Sequence, residues 1–263
     1  MKIGMMNNPT NNIYDEITFA GKNNFDYIDL TIEPPQAQIE NINSKNTLSL
    51  LEKYDLEVVG HTNFYMPWAS PIKKLKDAAI SEFSEQFELF RKLGAKKVSL
   101  HAHWYQPNSS KDEIIERIIS SLTILLDLAQ QNNITLMLEH QPTGFLNTPE
   151  RLQPIFDVIK NLFFHLDVGH AQVVGGERNL TNEFLRKFGD KLAHVHFSDN
   201  KGKFDDHLPL GAGIINWQDI IRELKKIKYN DTITLEVWSK DRNYLLYSKS
   251  QLEKFWHADN SFF

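Results

Sequence analysis

The sequence predicts an α/β protein: a single (β/α)8 barrel with its active site at the C-terminal ends of the strands. Strand-like and helix-like patterns alternate eight times along 263 residues, close to the ~250 typical of one such barrel. Six consecutive apolar runs, VVGH, VSLH, TLMLE, FFHLD, AHVH and ITLE, each end in a histidine or an acid: His61, His101, Glu139, Asp167, His196 and Glu236. Short apolar runs bounded by polar or glycine-containing segments mark buried parallel strands. An open sheet would spread six adjacent strand ends over roughly 25 Å at a spacing of ~4.8 Å. A barrel gathers them round one mouth, where such folds carry their chemistry.

In order, the predicted strands are KIGMM (2–6), DYIDLTI (26–32), LEVVGHT (56–62), KKVSLHA (96–102), ITLMLEH (134–140), LFFHLDV (162–168), LAHVHFS (192–198) and TITLEVW (232–238). Amphipathic stretches at 13–24, 45–54, about 72–93, 111–132, 149–158, 181–188, 217–226 and 247–255 supply the helices. Ser110 precedes KDEIIERI with Glu113 three residues on, a capping-box spacing. Thr148-Pro149-Glu150 puts proline at the first helical position after a threonine cap. The longest loop-like region, 199–216, leaves the seventh strand on the ligand-bearing face, where long loops tend to carry function. There is no linker or low-complexity segment, so 1–263 reads as one domain.

A hydrophobic fraction of 41% is enough for a sizeable core. The chain has no cysteine, which removes disulfides, thiolate zinc sites and cysteine nucleophiles together. Any metal must be held by His, Asp and Glu, a donor mix suited to zinc, manganese, cobalt or iron. The N-terminus MKIGMMNNP turns polar too early for a signal peptide, and no run approaches ~18 apolar residues, so a cytoplasmic protein without a membrane span is expected. A net charge of -5 gives no general basic footprint for nucleic acid.

Three carboxylates and one imidazole (Glu139, Asp167, His196 and Glu236) sharing a mouth would repel without a cation, and a divalent metal removes the conflict. Asp167-Val168-Gly169-His170 adds a histidine across the turn leaving strand six. Asp205-Asp206-His207 adds an Asp-x-His pair in the following loop. With His61 and His101 this makes nine candidate ligands, enough for two or three metals. His194 shares the His196 face and is expected to support it from behind; His103 shares the His101 face. His140 and His165 are expected to point away from the lumen, and His257 to be incidental. The aromatic tail FWHADNSFF is expected to pack on its own barrel.

The segments GHTNFYMPWASP, LHAHW, LEHQP, LDVGH, HVHFSDN, DDHLPLGAGIINW and LEVW together resemble the xylose-isomerase-like TIM-barrel superfamily over roughly residues 2–238. LDVGH and DDHLPLGAGIINW are the most specific. The resemblance implies a divalent-metal-dependent sugar or sugar phosphate isomerase or epimerase, with one ion on Glu139, Asp167, His196 and Glu236. It also implies Glu139 and Glu236 as the acid/base pair across a keto sugar, working through a metal-stabilised enediolate. Zinc or manganese would come first, cobalt or iron next, with one to three ions per chain. The substrate-binding set would be Glu33, Phe64, Trp68, His103, Trp104 and Trp238. An endonuclease IV-like zinc phosphodiesterase acting on abasic-site DNA is the alternative, because all nine of that branch's ligand positions hold the matching residue type. Against it, the loop TIEPPQAQIE is acidic, and Lys201 and Lys203 stand among Asp199, Asp205 and Asp206. Phe64 and Tyr65 offer a wedge for a base stack. The expected partner is a small sugar-like molecule, with DNA only under the alternative; a homo-oligomer stays open.

Overall fold

Each apolar run becomes a strand within a residue of its predicted span at either end, except the eighth, which stops three residues short at Leu235. A computed structural model describes residues 1–102 and 109–258. The strands are β1 (Lys2–Met6), β2 (Tyr27–Thr31), β3 (Glu57–His61), β4 (Lys97–His101), β5 (Thr135–Glu139), β6 (Phe163–Asp167), β7 (Leu192–Phe197) and β8 (Thr232–Leu235). All pair in parallel and in sequence order, and β1 closes on β8. This is the predicted (β/α)8 barrel, and closure leaves the sheet no free edge.

The surrounding helices are α1 (Ile13–Lys22), α2 (Ser44–Tyr54), α3 (Lys73–Lys92), α4 (Lys111–Gln131), α5 (Pro149–Val158), α6 (Val168–Gly175), α7 (Thr181–Phe188), α8 (Trp217–Lys226) and α9 (Asn243–His257). In α8 the buried residues Trp217, Ile220, Ile221 and Leu224 form one stripe toward the sheet. The Ser110 capping box forms on α4, with both reciprocal bonds present. Thr148 does sit at the start of α5, but its side chain makes no capping bond. Sequence pattern does not reveal α6. Its residues VGHAQVVG are buried all along their first five positions, so no polar face marks a helical period.

Strand pleating sends alternate side chains to opposite faces. The outward set, including Ile28, Leu30, Val98, Leu100, Leu136, Leu138, Phe164 and Leu166, joins the helix faces in one large core. Phe164 of β6 stacks on Phe184 of α7, ring centres 5.6 Å apart. The inward set begins as a small apolar plug of Tyr27, Val59 and Met137, with Ala193 against it. A Cβ on Gly4 would lie 2.2 Å from the Tyr27 ring, so glycine at 4 is what admits that ring to the lumen. Above the plug the interior turns polar, with Asp29, Ser99, His165, His194 and Thr234 all fully buried. The β6–β7 register shifts at Phe164/His165, which pair with Leu192 and His194 and leave Ala193 as an extra residue.

Phe255 and Trp256 of α9 pack half-buried against the core; residues 259–263 lie outside the described set. Among the described residues no helix is long and apolar enough to cross a membrane.

Candidate metal centre and active site

The pleat that buries Leu100, Leu138 and Leu166 outward turns His101, Glu139 and Asp167 inward at the strand tips. His61 ends β3, His196 lies one residue inside the end of β7, and Glu236 follows β8 directly. Asp167 also begins α6: its Oδ1 accepts from His170 N at 2.6 Å, which folds the chain so that His170 returns to the mouth. The 199–216 loop is pinned by Asp199. Its Oδ1 accepts from Asn200 N at 2.9 Å, and its Oδ2 from Gly211 N at 2.8 Å and Trp217 Nε1 at 2.9 Å. A Cβ on Gly213 would fall 2.2 Å from that carboxylate. The pinned loop presents Asp205 and His207. His207 sits at φ 46°, a left-handed conformation that non-glycine residues adopt uncommonly. Its carbonyl accepts from Trp238 N at 3.1 Å.

All nine predicted ligands form one linked cluster. His196 Nδ1 lies 3.0 Å from Glu236 Oε2, 3.7 Å from Asp167 Oδ2 and 3.9 Å from Glu139 Oε1. Glu139 Oε2 accepts from His61 Nε2 at 2.9 Å and stands 3.4 Å from His101 Nδ1. Asp205 Oδ2 bridges His170 Nε2 at 3.1 Å and His207 Nε2 at 3.2 Å. Among the nine, three sets each bring one donor atom per residue within 4.8 Å of one another: His61, His101 and Glu139; Glu139, Asp167 and His170; Asp167, His196 and Glu236. Two further sets draw in residues behind them: His165 with His61 and His196, and Asp29 and His194 with His196.

Burial would neutralise every member of the cluster, and mutual pairing overrides it unevenly. Burial opposes charge on His196, but the bonded carboxylates of Asp29 and Glu236 outweigh it and hold the imidazole well above its usual range. Against the same burial penalty, Glu236 and Asp205 raise His207 to about 9. Asp167 goes the other way. Burial, helped by Asp205, Glu236 and Glu139, pushes its carboxyl up to about 7 despite the pull of His170. Burial pushes His101 down to about 3. Without metal, then, protons on His61, His170, His196, His207 and Asp167 supply the balancing charge, while His101 stays neutral. Glu139 Oε1, Asp167 Oδ2, Asp205 Oδ1 and His207 Nδ1 are buried with no hydrogen-bond partner. Buried polar atoms are rarely left so, and these N and O donors fit a divalent cation of the zinc, manganese, cobalt or iron type.

A family model for the xylose isomerase-like TIM barrel matches residues 17–255. The chain belongs to that family. An uncharacterised protein of Methanocaldococcus jannaschii is 31% identical over 202 residues, covering 74% of this chain and 69% of its own length. A probable L-ribulose-5-phosphate 3-epimerase of Mycoplasma pneumoniae is 23% identical over 241 residues, 86% of this chain and 77% of that protein. Among solved structures, a D-tagatose 3-epimerase-like protein superposes with a TM-score of 0.85 at 27% identity, over 97% of both chains.

In this xylose isomerase-like barrel a cavity of about 430 Å³ opens above the cluster, lined in part by Glu33, His61, His101, Phe64, Glu236 and Trp238. That volume suits a small molecule. Glu33 accepts from Phe64 N at 2.9 Å, and burial raises its carboxyl above the usual range. Trp238 Nε1 lies 3.4 Å from Glu236 Oε1. Glu139 is below the cavity floor, 0% exposed. Trp68 is not in the wall as expected. It is 2% exposed and buried in the main core among apolar side chains of the strands and helices. His103 and Trp104 lie outside the described residues.

Two histidine expectations divide. His140 does point outward, stacked on Phe184 with ring centres 4.1 Å apart. His165 is a correction: it faces the lumen, with Nδ1 2.7 Å from Ser99 Oγ and its ring 4.0 Å from that of His196. It lies two residues before Asp167, so pleating puts both on one face. Two further acids, Asp29 and Asp199, support the site without having stood out in the sequence. Asp29 is legible as an acid inside the apolar run DYIDLTI; Asp199 carries no signal beyond its place in the long loop.

Proposed function

We propose that this chain is a divalent-metal-dependent epimerase or isomerase of a keto sugar or keto sugar phosphate. One observation carries the reading: three carboxylates converge within 4 Å of His196 Nδ1, beneath a sugar-sized cavity that one of them, Glu236, lines. Glu139, Asp167, His196 and Glu236 would hold the ion. Bound there, it would supply Lewis-acid stabilisation of negative charge on a substrate oxygen. Glu236, which lines the cavity, takes a proton from the carbon beside the carbonyl, giving an enediolate. Glu139 is its acid/base partner: His61 holds its Oε2, while Oε1 has no hydrogen-bond partner. General acid/base transfer of this kind contributes ~10²–10⁴-fold. Phe64 and Trp238 offer an apolar wall to the C–H face of a sugar, and Glu33 accepts from its hydroxyls. The two epimerase-type relatives support the reaction class.

The test is deuterium incorporation from heavy water into a panel of keto sugars and their phosphates, using protein of measured metal content. Exchange at the carbon next to the carbonyl, with one ion per chain, is expected. No exchange on any member by metal-loaded protein sinks the reading.

A second reading has one observation of its own, the clustering of all nine ligands of a three-zinc phosphodiesterase. Close to three zinc per chain and cleavage of abasic-site DNA would replace the first reading with that one.

A further inference from the structure

Below the metal centre the barrel interior holds a buried hydrogen-bond array that the proposed chemistry does not use. Asp29, midway along β2, is 0% exposed. Its Oδ2 accepts from His196 Nε2 at 2.8 Å, from His194 Nε2 at 2.8 Å and from Thr234 Oγ1 at 2.7 Å.

The direction of each bond follows from its neighbours. A carboxylate only accepts, so both histidines must carry a proton on Nε2. His194 Nδ1 then accepts from Thr232 Oγ1 at 2.7 Å, and Thr232 in turn accepts from the Lys97 ammonium at 3.1 Å. Thr234 spends its proton on Asp29, so the Tyr27 hydroxyl, 2.9 Å away, donates to Thr234. Two lines of donors, Lys97–Thr232–His194 and Tyr27–Thr234, therefore end on one carboxylate oxygen. That oxygen holds Nε2 of His196. The other ring nitrogen, Nδ1, is the one facing Glu139, Asp167 and Glu236.

We propose that Asp29 is a positioning residue, which fixes the tautomer and ring orientation of His196 so that Nδ1 is offered to a divalent cation. It touches neither substrate nor ion. Carboxylates behind ligating histidines act in this way, and their loss costs ~10–100-fold in metal affinity. The inference rests on the metal reading of the site.

The test is zinc affinity of Asp29→Asn, by competition with a chelator, beside the nitrogen-resolved NMR signals of His196 in the zinc-loaded proteins. Wild type is expected to bind zinc and to show His196 protonated on Nε2 alone. The variant is expected to bind ten- to a hundredfold more weakly and to lose that single signature. His194→Leu, which keeps Asp29 but removes one of its donors, is expected to lose about three- to tenfold and serves if Asp29→Asn does not fold. Wild-type protein that takes up no zinc overturns the metal reading and this inference with it. Wild type that binds, beside variants with unchanged affinity and unchanged His196 signals, overturns the inference alone. A lower melting temperature with those two readouts intact means a packing role only, and also overturns it.

Discussion

Metal uptake by this chain should be driven hard by pH, and the size of the effect follows from the cluster. In the metal-free protein His196 keeps its proton through neutral pH, since Asp29 and Glu236 outweigh its burial. Burial places the Asp167 titration at about 7. Both pKa values are raised, so both groups hold protons below them, and ligation requires those protons to leave. Affinity must therefore rise with pH. One ion displaces one proton from His196 and, at pH 7, about half a proton from Asp167, so the apparent Kd should change roughly thirtyfold per pH unit there. Between pH 6 and pH 8 His196 contributes up to two decades and Asp167 about one, so at most about a thousandfold in all. Chelator competition at pH 6, 7 and 8, corrected for the chelator's own protons, reads this directly. Asp167→Asn should flatten the dependence to about tenfold per unit. A wild-type change below about tenfold across the two units refutes the reasoning, because His196 and Asp167 would then already be bare without metal. A change beyond about 10⁵-fold would mean that His61, His170 and His207 also give up protons, as a three-ion site requires.

Glu236→Gln should lower kcat by ~10²–10⁴-fold while the protein keeps its fold, since the amide cannot accept the carbon proton; steady-state kinetics beside circular dichroism checks this. His61→Ala and His101→Ala should leave the metal count unchanged under the one-ion reading and reduce it under the three-ion reading, as elemental analysis per chain would show. Trp68→Ala should cost ~3–5 kcal/mol of stability with KM unmoved, measured by denaturant unfolding and kinetics below the transition. A raised KM at wild-type stability would put Trp68 back in the substrate wall.

Much of the site is written in local pattern. A strand repeats every two residues, so an apolar run ending in a histidine or an acid fixes both the element and the face of its last residue. That is why β3 to β8 and the residues His61, His101, Glu139, Asp167, His196 and Glu236 are legible in the amino-acid sequence. The same rule turns His165 inward with Asp167, so its orientation is legible too, against the expectation that it points away from the lumen. Trp68 is different. It stands in a segment without period, and whether it faces substrate or core depends on how that segment lies against α3 and the barrel. The helix α6 hides for a related reason: its buried residues surround it rather than forming a stripe.

Residue types and short periods are enough for the barrel class, the ring of metal-type donors at strand ends and the absence of any thiolate. Which donors meet is a property of the folded sheet. His196 and Asp29 are 167 positions apart and touch because the eight-strand sheet closes, so that β7 and β2 lie only three strands apart through the β8–β1 seam. The loop that brings Asp205 to His170 is likewise set by bonds to Asp199 rather than by its own pattern. Pleat alternation is a property of a few neighbouring residues, whereas the distance across a closed barrel belongs to the whole sheet.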